Sequence, residues 1–198
     1  MKPSAILSGE HRVIEQVLDC LEKMAECVEA GSPLDTAAAS KALDFFRNFA
    51  DRCHHGKEES HFFPAMEQKG FVRDGGPTGV MLYEHELGRQ RVAAMAQALA
   101  SLKGGTAHAA NGFAAAARAF ISLLRNHIEK EDHCLFPMAD QAFNDHDQAV
   151  LLEAFQRVET EHMGVGVHEG YIRMADELAE HFGVPKRSAA AAHRCCGH

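Results

Sequence analysis

His54-His55-Gly56-Lys57-Glu58, followed by Phe63-Pro64, is matched further along by His127-Ile128-Glu129-Lys130-Glu131, followed by Phe136-Pro137. Each copy is preceded by a Glu-His dipeptide, Glu10-His11 in the first half and Glu84-His85 in the second. The leading His residues are offset by 74 positions, and His54/His127, Glu58/Glu131 and Pro64/Pro137 by 73. A duplicated half with two His and one carboxylate implies a symmetric site for two metal ions. The Phe-Pro units read as structural, because proline kinks or stops a helix.

Residues four apart on a helix stand one above the other. His54/Glu58 and His127/Glu131 therefore each aim an imidazole and a carboxylate at one point. Both pairs lie in apolar stripes, one running Leu43, Phe46, Ala50, His54, Glu58, Phe62 and the other Phe113, Ala116, Phe120, Leu124, His127, Glu131, Leu135, Met138. Leu7, His11, Ile14, Leu18, Leu21, Ala25 and Val28 mark a helix over about residues 4–30, ended by Gly31-Ser32-Pro33. Met81, His85, Gly88, Val92, Met95, Leu99 and Leu102 mark another, between the Gly70 to Pro77 connection and Gly104-Gly105. A fifth helix is expected over about residues 147–182, with Leu151, Phe155, Val158, His162, Val165 and Ile172 on one face. No stretch alternates with period two. The expected fold is all-α, with short connections implying an up-down-up-down four-helix bundle over residues 1–145. An additional C-terminal helix over 146–182 packs on or beside it, and 183–198 form a flexible tail.

At 198 residues the chain is long enough for one well-buried domain. Apolar content of 46% and charged content of 24% are those of a globular protein rather than a disordered one. A formal charge of −8 argues against a nucleic-acid partner, which would need a basic patch. No apolar run approaches membrane-spanning length, so no membrane association is expected. Glu10 and His11 cut short the apolar start, unlike a signal peptide, and a cytoplasmic protein is expected. Six cysteines form no secreted-type framework. Four of them, Cys20, Cys27, Cys53 and Cys134, fall in helical patterns, where a reduced Cys acts as a small apolar residue.

His11 and His85 occupy stripe positions like the His-x-x-x-Glu pairs, so four imidazoles and two carboxylates face one interior. An ionised Glu in an apolar core is costly unless paired or metal-bound, and no Lys or Arg occupies these stripes. Two His and one carboxylate per half is the ligand set of non-haem iron sites that keep open positions. The absence of thiolates disfavours structural zinc. Two bridging carboxylates and four imidazoles would leave two six-coordinate ions unsaturated, hence reactive or gas-binding.

These paired motifs, Cys53-His54-His55-Gly56-Lys57-Glu58-Glu59 among them, resemble the hemerythrin family in its bacterial form, the HHE cation-binding domain. The resemblance implies two iron ions, oxo- or hydroxo-bridged, held by His11, His54, Glu58, His85, His127 and Glu131, with Glu58 and Glu131 bridging. Dioxygen carriers of the family have a further His one turn from the third-helix ligand, where this chain has Met81 and Arg89. They also use a His-x-x-x-x-Asp pair. Asp132 stands at that distance from His127, but Glu131 matches the repeat better. One imidazole fewer opens a second iron position and argues against simple reversible oxygen carriage.

His55 and Glu59 form a rival pair one residue on, but their counterparts are Ile128 and Asp132. Internal symmetry thus prefers His54/Glu58 and assigns His55 and Glu59 to a solvated flank or a helix interface. Glu10 and Glu84 are either outer acceptors for the ligand His residues or surface groups. His162, with His168 and Glu169 below it, reads as a core histidine; the alternative is that the fifth helix caps the site and adds a contact. The tail His193-Arg194-Cys195-Cys196-Gly197-His198 reads as incidental, with a metal or redox handle as the alternative. His61, His108, His146 and His181 read as surface residues.

Three functional classes fit. One is a module that binds dioxygen or nitric oxide or senses redox state, with a separate protein partner if it signals. Another is a di-iron oxidase, peroxide-consuming or nitric-oxide-reducing enzyme. The last is iron storage or donation for iron-cluster repair. The bundle core is expected to leave little space for anything larger than a diatomic or peroxide.

Overall fold

The structure of the protein, a computed structural model, describes residues 1–103 and 108–187. Gly104-Gly105 and the Cys195-Cys196 tail lie outside the described residues. Among those described, the chain is all-helical, with six helices and no strand.

Helix α1 covers Pro3–Glu29, with proline in its first turn, where the missing N–H costs nothing. Helix α2 starts at the Asp35 carboxylate, which accepts from the backbone N–H groups of Ala37 and Ala38. It is an α-helix over Thr36–Phe45, a π-helix over Phe46–His55 and again over Glu58–Phe62, then α over Phe63–Gln68. Helix α3 is Pro77–Lys103. Helix α4 is α over Ala109–Lys130, π over Glu131–Leu135 and α over Phe136–Ala142. Helix α5 begins at a reciprocal cap between Asn144 and Asp147, runs as α over Asp145–Arg157 and ends as π over Val158–Met163. Helix α6 is Val167–Phe182.

The buried apolar residues fall into two clusters. The larger holds Val13 to Val28 of α1, Ala38 to Ala50 of α2, Val92 to Leu99 of α3 and Phe113 to Ile128 of α4. The smaller holds Leu7, Phe62, Phe63, Met66, Met81, Leu135, Phe136 and Ala139, closed by Phe143, Leu151 and Phe155. On each of α1–α4, the His and Glu residues of the repeat lie at or beside the junction between the part in one cluster and the part in the other. A polar layer thus crosses an otherwise apolar core. Helices α1 and α3 enter from the smaller cluster and pass to the larger, while α2 and α4 run from the larger to the smaller. Helix α6 joins the larger cluster through Ala175, Leu178 and Ala179.

Three sequence expectations change here. The single fifth helix is two helices, because Gly164 (φ 103°) and Gly166 (φ 78°) adopt left-handed backbone that no helix continues through. Pro64 and Pro137 do not stop their helices. In both halves a π turn of five residues immediately precedes the Phe-Pro unit, and α-helix resumes beyond it. The described beginning of the expected tail is docked: Val184 is buried in the larger cluster, and Arg187 pairs with Glu15 at 2.9 Å and Asp19 at 2.8 Å. Of the four helical cysteines, Cys20 and Cys53 are buried and Cys27 and Cys134 are exposed. Among the described residues, no helix is long and apolar enough to cross a membrane.

Candidate metal centre

All six sequence-derived ligand candidates are buried, and all six converge on the polar layer. Together with His55 they form two adjoining groups, in each of which the potential ligand atoms lie within 4.8 Å of one another. One group is His11, His54, Glu58 and Glu131; the other is His55, Glu58, His85 and His127. Glu58 belongs to both. Its Oε1 is 3.5 Å from His54 Nε2, and its Oε2 is 3.5 Å from His85 Nε2. Glu131 also faces two ways, with Oε2 at 3.2 Å from His11 Nε2 and 3.3 Å from His127 Nε2. Each carboxylate therefore stands between imidazoles of different helices, as a bridging ligand would.

The flank reading of His55 does not hold. Its ring is buried and stacks on His85, with centroids 3.7 Å apart and planes at 12°. The reason is local backbone geometry: a π turn is wider than an α turn and rotates successive residues through a smaller angle. Adjacent His54 and His55 can then both reach the interior. The fifth imidazole, missing one turn from His85 in the sequence, comes from α2 instead. It has no repeat partner, since Ile128 fills the matching position as a core residue.

Every imidazole is held from behind by a carboxylate. His11 Nδ1 meets Asp132 at 2.9 Å, His54 Nδ1 meets Glu10 at 3.0 Å, and His85 Nδ1 meets Glu59 at 2.7 Å. His127 Nδ1 meets Glu84 at 3.0 Å, and His55 Nδ1 meets Asp51 at 3.3 Å. With Nδ1 donating outward, Nε2 turns its lone pair inward, the tautomer that a cation needs. Each outer carboxylate in turn has its own cation: Arg12 for Asp132, Lys57 for Glu10, Lys130 for Glu84, and Arg89 for both Glu59 and Asp51. Glu10 and Glu84 are thus outer acceptors, not free surface groups, and Glu59 and Asp132 play the same part for the other pair.

The inner faces have no such partners. Among the described residues, no Lys or Arg pairs with Glu58 or Glu131, and neither carboxylate has a hydrogen-bond partner on any of its oxygens. His11 Nε2 is likewise buried without a hydrogen bond, although Glu131 is close by. His85 Nε2 and His127 Nε2 face each other at 3.1 Å. With both Nδ1 atoms committed outward, two lone pairs would meet there unless a proton or a cation came between. Burial, reinforced by the Glu131 charge, raises the Glu58 carboxyl well above its usual range. Burial also acts against Glu131, but the charge of His127 and contacts from His11 and His127 outweigh it and hold that carboxyl well below. Burial depresses His54 to about 4 and His85 well below normal, so both are neutral imidazoles. His127 is driven the other way, to about 9: Glu131 and Glu84 overcome its burial and keep a proton that a cation would displace. Buried carboxylates without hydrogen bonds, ringed by imidazoles whose Nε2 atoms point inward, fit a cationic cofactor, and nitrogen and oxygen donors without thiolate fit iron.

Helices α5 and α6 reach the outer shell, and the core reading of His162 does not hold. His162 is exposed, and only its backbone carbonyl is engaged, accepting from Arg52 at 3.0 Å. His168 instead contacts Glu10 at 3.0 Å, and Glu159 joins Glu10 on the fully buried Lys57. Glu169 is exposed. Lys57 went unremarked in the sequence, yet it repeats as Lys130 between His and Glu in both halves. The two differ in setting: Lys57 is 0% exposed and Lys130 is 42% exposed. Lys57→Met is therefore expected to destabilise the protein by about 3–5 kcal/mol, since it strands buried Glu10. Lys130→Met should cost under about 1 kcal/mol. Urea unfolding of the two variants checks this, and equal losses would contradict the asymmetry.

A family model for the Hemerythrin HHE cation binding domain matches residues 2–139. Uncharacterized proteins of Mycobacterium bovis and of two strains of Mycobacterium tuberculosis are each 25% identical over 177 residues, covering 88% of this chain. The chain spans 66% of the length of these relatives. No solved structure matches it.

Proposed function

The chain belongs to the hemerythrin HHE cation-binding domain family, and on that premise we propose that it is a non-haem di-iron protein that binds or reacts with dioxygen, nitric oxide or peroxide. The observation that carries this reading is the pair of buried carboxylates, Glu58 and Glu131, with no oxygen hydrogen-bonded and five imidazoles around them. In this reading His11 and His54 would hold one ion and His55, His85 and His127 the other, with Glu58 and Glu131 shared between them. The two apolar clusters on either side, with the alternating helix directions, support an up-down-up-down arrangement of α1–α4 around the centre. A pair of iron ions supplies redox electrons and an open coordination position.

The protein's own contribution is to position and to shield. The outer carboxylates fix ring orientation and tautomer, and their cations keep those carboxylates ionised. The histidine count would be unequal, three on the His55 side against two on the His11/His54 side. Phe136, stacked on His11 at 5.5 Å, and the rest of the smaller cluster keep bulk water from that side. The class of function is gas or redox binding, with signalling through a separate protein as one use of it.

Metal analysis on anaerobically purified protein, with absorption spectra before and after dioxygen, tests the proposal. Two irons per chain and a charge-transfer band that appears with dioxygen are expected. A band that fades on deoxygenation indicates binding, and irreversible oxidation or sustained peroxide consumption indicates turnover. A folded protein that takes up one ion or none would overturn it.

A further inference from the structure

An apolar pocket of about 220 Å³ opens between α2, α3 and α4 and ends on the ring of His55. Phe46, Ala50, Val92, Phe120 and Leu124 wall it. Exposed Arg47 and Ala93 lie at its mouth, and buried His55 and Gly88 lie at its inner end. Its rim is rigid on one side, because Arg89 is held by Asp51 at 2.8 Å and by Glu59 at 2.7 Å. Those same carboxylates bind His55 and His85. The wider grooves along α5 touch none of the five imidazoles or the two inner carboxylates.

We infer that this pocket is the port by which a small uncharged molecule, a diatomic gas such as dioxygen or nitric oxide, reaches the metal centre at His55. The inference rests on the gas-binding reading above and adds a route and a selectivity to it. A dry apolar cavity of about 150 Å³ holds benzene or xenon, so this larger one has ample room for a diatomic. That room exceeds what the sequence led one to expect of a bundle core. Peroxide, azide and other strongly hydrated molecules would give up hydrogen bonds to enter; the apolar walls return none, and Asp51 and Arg89, which also line the pocket, are already paired with each other. A nonpolar gas pays no such penalty and is concentrated there. The inner end is a single ring: His55 stacks on His85 and also faces Glu58 and His127, so a molecule at the floor is one imidazole away from the cluster. Among the five imidazoles His55 alone lies outside the sequence repeat, so the port serves one side of the pseudo-symmetric centre.

Two filling variants test the port. Ala93→Trp places a large ring at the mouth from an exposed position. Gly88→Ala narrows the floor, where an added Cβ would meet Phe120 at 3.7 Å, an ordinary contact. Neither position supplies a metal ligand or an outer carboxylate. Xenon binding followed by nuclear magnetic resonance reads pocket occupancy without reference to the iron. Stopped-flow combination of the ferrous protein with nitric oxide reads access. Xenon should occupy the wild-type pocket and be excluded by Ala93→Trp, and the nitric oxide rate should fall about tenfold in that variant at unchanged iron content. Gly88→Ala should give a smaller loss of both. Wild type that excludes xenon, or a filled variant that combines at the wild-type rate, would overturn the port while leaving the gas reading intact. A wild-type ferrous centre that does not combine with nitric oxide at all would overturn both.

Discussion

Changing Glu58 and Glu131 together to Gln is expected to abolish iron retention while the metal-free protein remains folded, and Glu58→Gln alone is expected to make the metal-free protein more stable than metal-free wild type. Gln keeps the size and shape of Glu but removes the charge, so packing in the polar layer is preserved. Loss of an outer partner alone typically costs ten- to a hundredfold in metal affinity. Losing both bridging carboxylates should exceed about a hundredfold. In the metal-free state the Glu58 change relieves a burden, since that carboxylate is fully buried without a hydrogen bond and Glu131 raises the cost of ionising it, whereas Glu131 keeps the charge of His127 beside it. Relieving one buried, unsatisfied group of this kind commonly gains about 1–3 kcal/mol. Elemental analysis and urea unfolding in chelator measure the two effects. Retention of two irons by the double variant would remove these carboxylates from the ligand set.

The second large effect is the loss of stability when metal is stripped from the wild-type protein. A ligand present at about a thousand times its dissociation constant stabilises the folded state by about 4 kcal/mol. For a domain of this size each kcal/mol moves the thermal midpoint by about 2–4 °C, so chelation should lower it by about 8–16 °C. The cause is specific: without a cation, Glu58, Glu131 and the facing Nε2 atoms of His85 and His127 lose their partners together. The double Gln variant should then show almost no response to chelator. If verified removal of metal leaves the wild-type midpoint unchanged, the polar layer is satisfied in some other way and the cationic reading fails.

The outer shell was partly legible in the sequence. Glu10 and Glu84 sit beside ligand candidates in both halves and could be named as possible acceptors from that adjacency alone. Lys57 and Lys130 carried an equally clear repeat signal, but a lysine between His and Glu looks like a solvated residue until its surroundings are known. One of the two carboxylates that hold Lys57 is Glu159, 102 positions away on α5. The same distance problem left open in the sequence whether His162, His168 or Glu169 reaches the site. The apolar periodicity of a single long helix pointed to His162, and the break at Gly164–Gly166 turns α6 so that His168 faces Glu10 instead.

By itself the sequence determined the all-helical class, the symmetric half-sites and six buried candidate ligands, because a hydrophobic stripe with period near 3.6 sorts each helix into an inside and an outside. Polar residues that fall on the inside face at matched offsets must meet. Tertiary structure alone decided the fifth imidazole, the pocket that leads to it and the cations behind the outer carboxylates. His55 turns inward only because α2 widens to π-helix at that point, a departure from regular period that a periodic reading assumes away. The pocket is a space shared by three helices, and the Lys57 network joins residues from four. Neither has any local signature, since each depends on which faces the packing brings together.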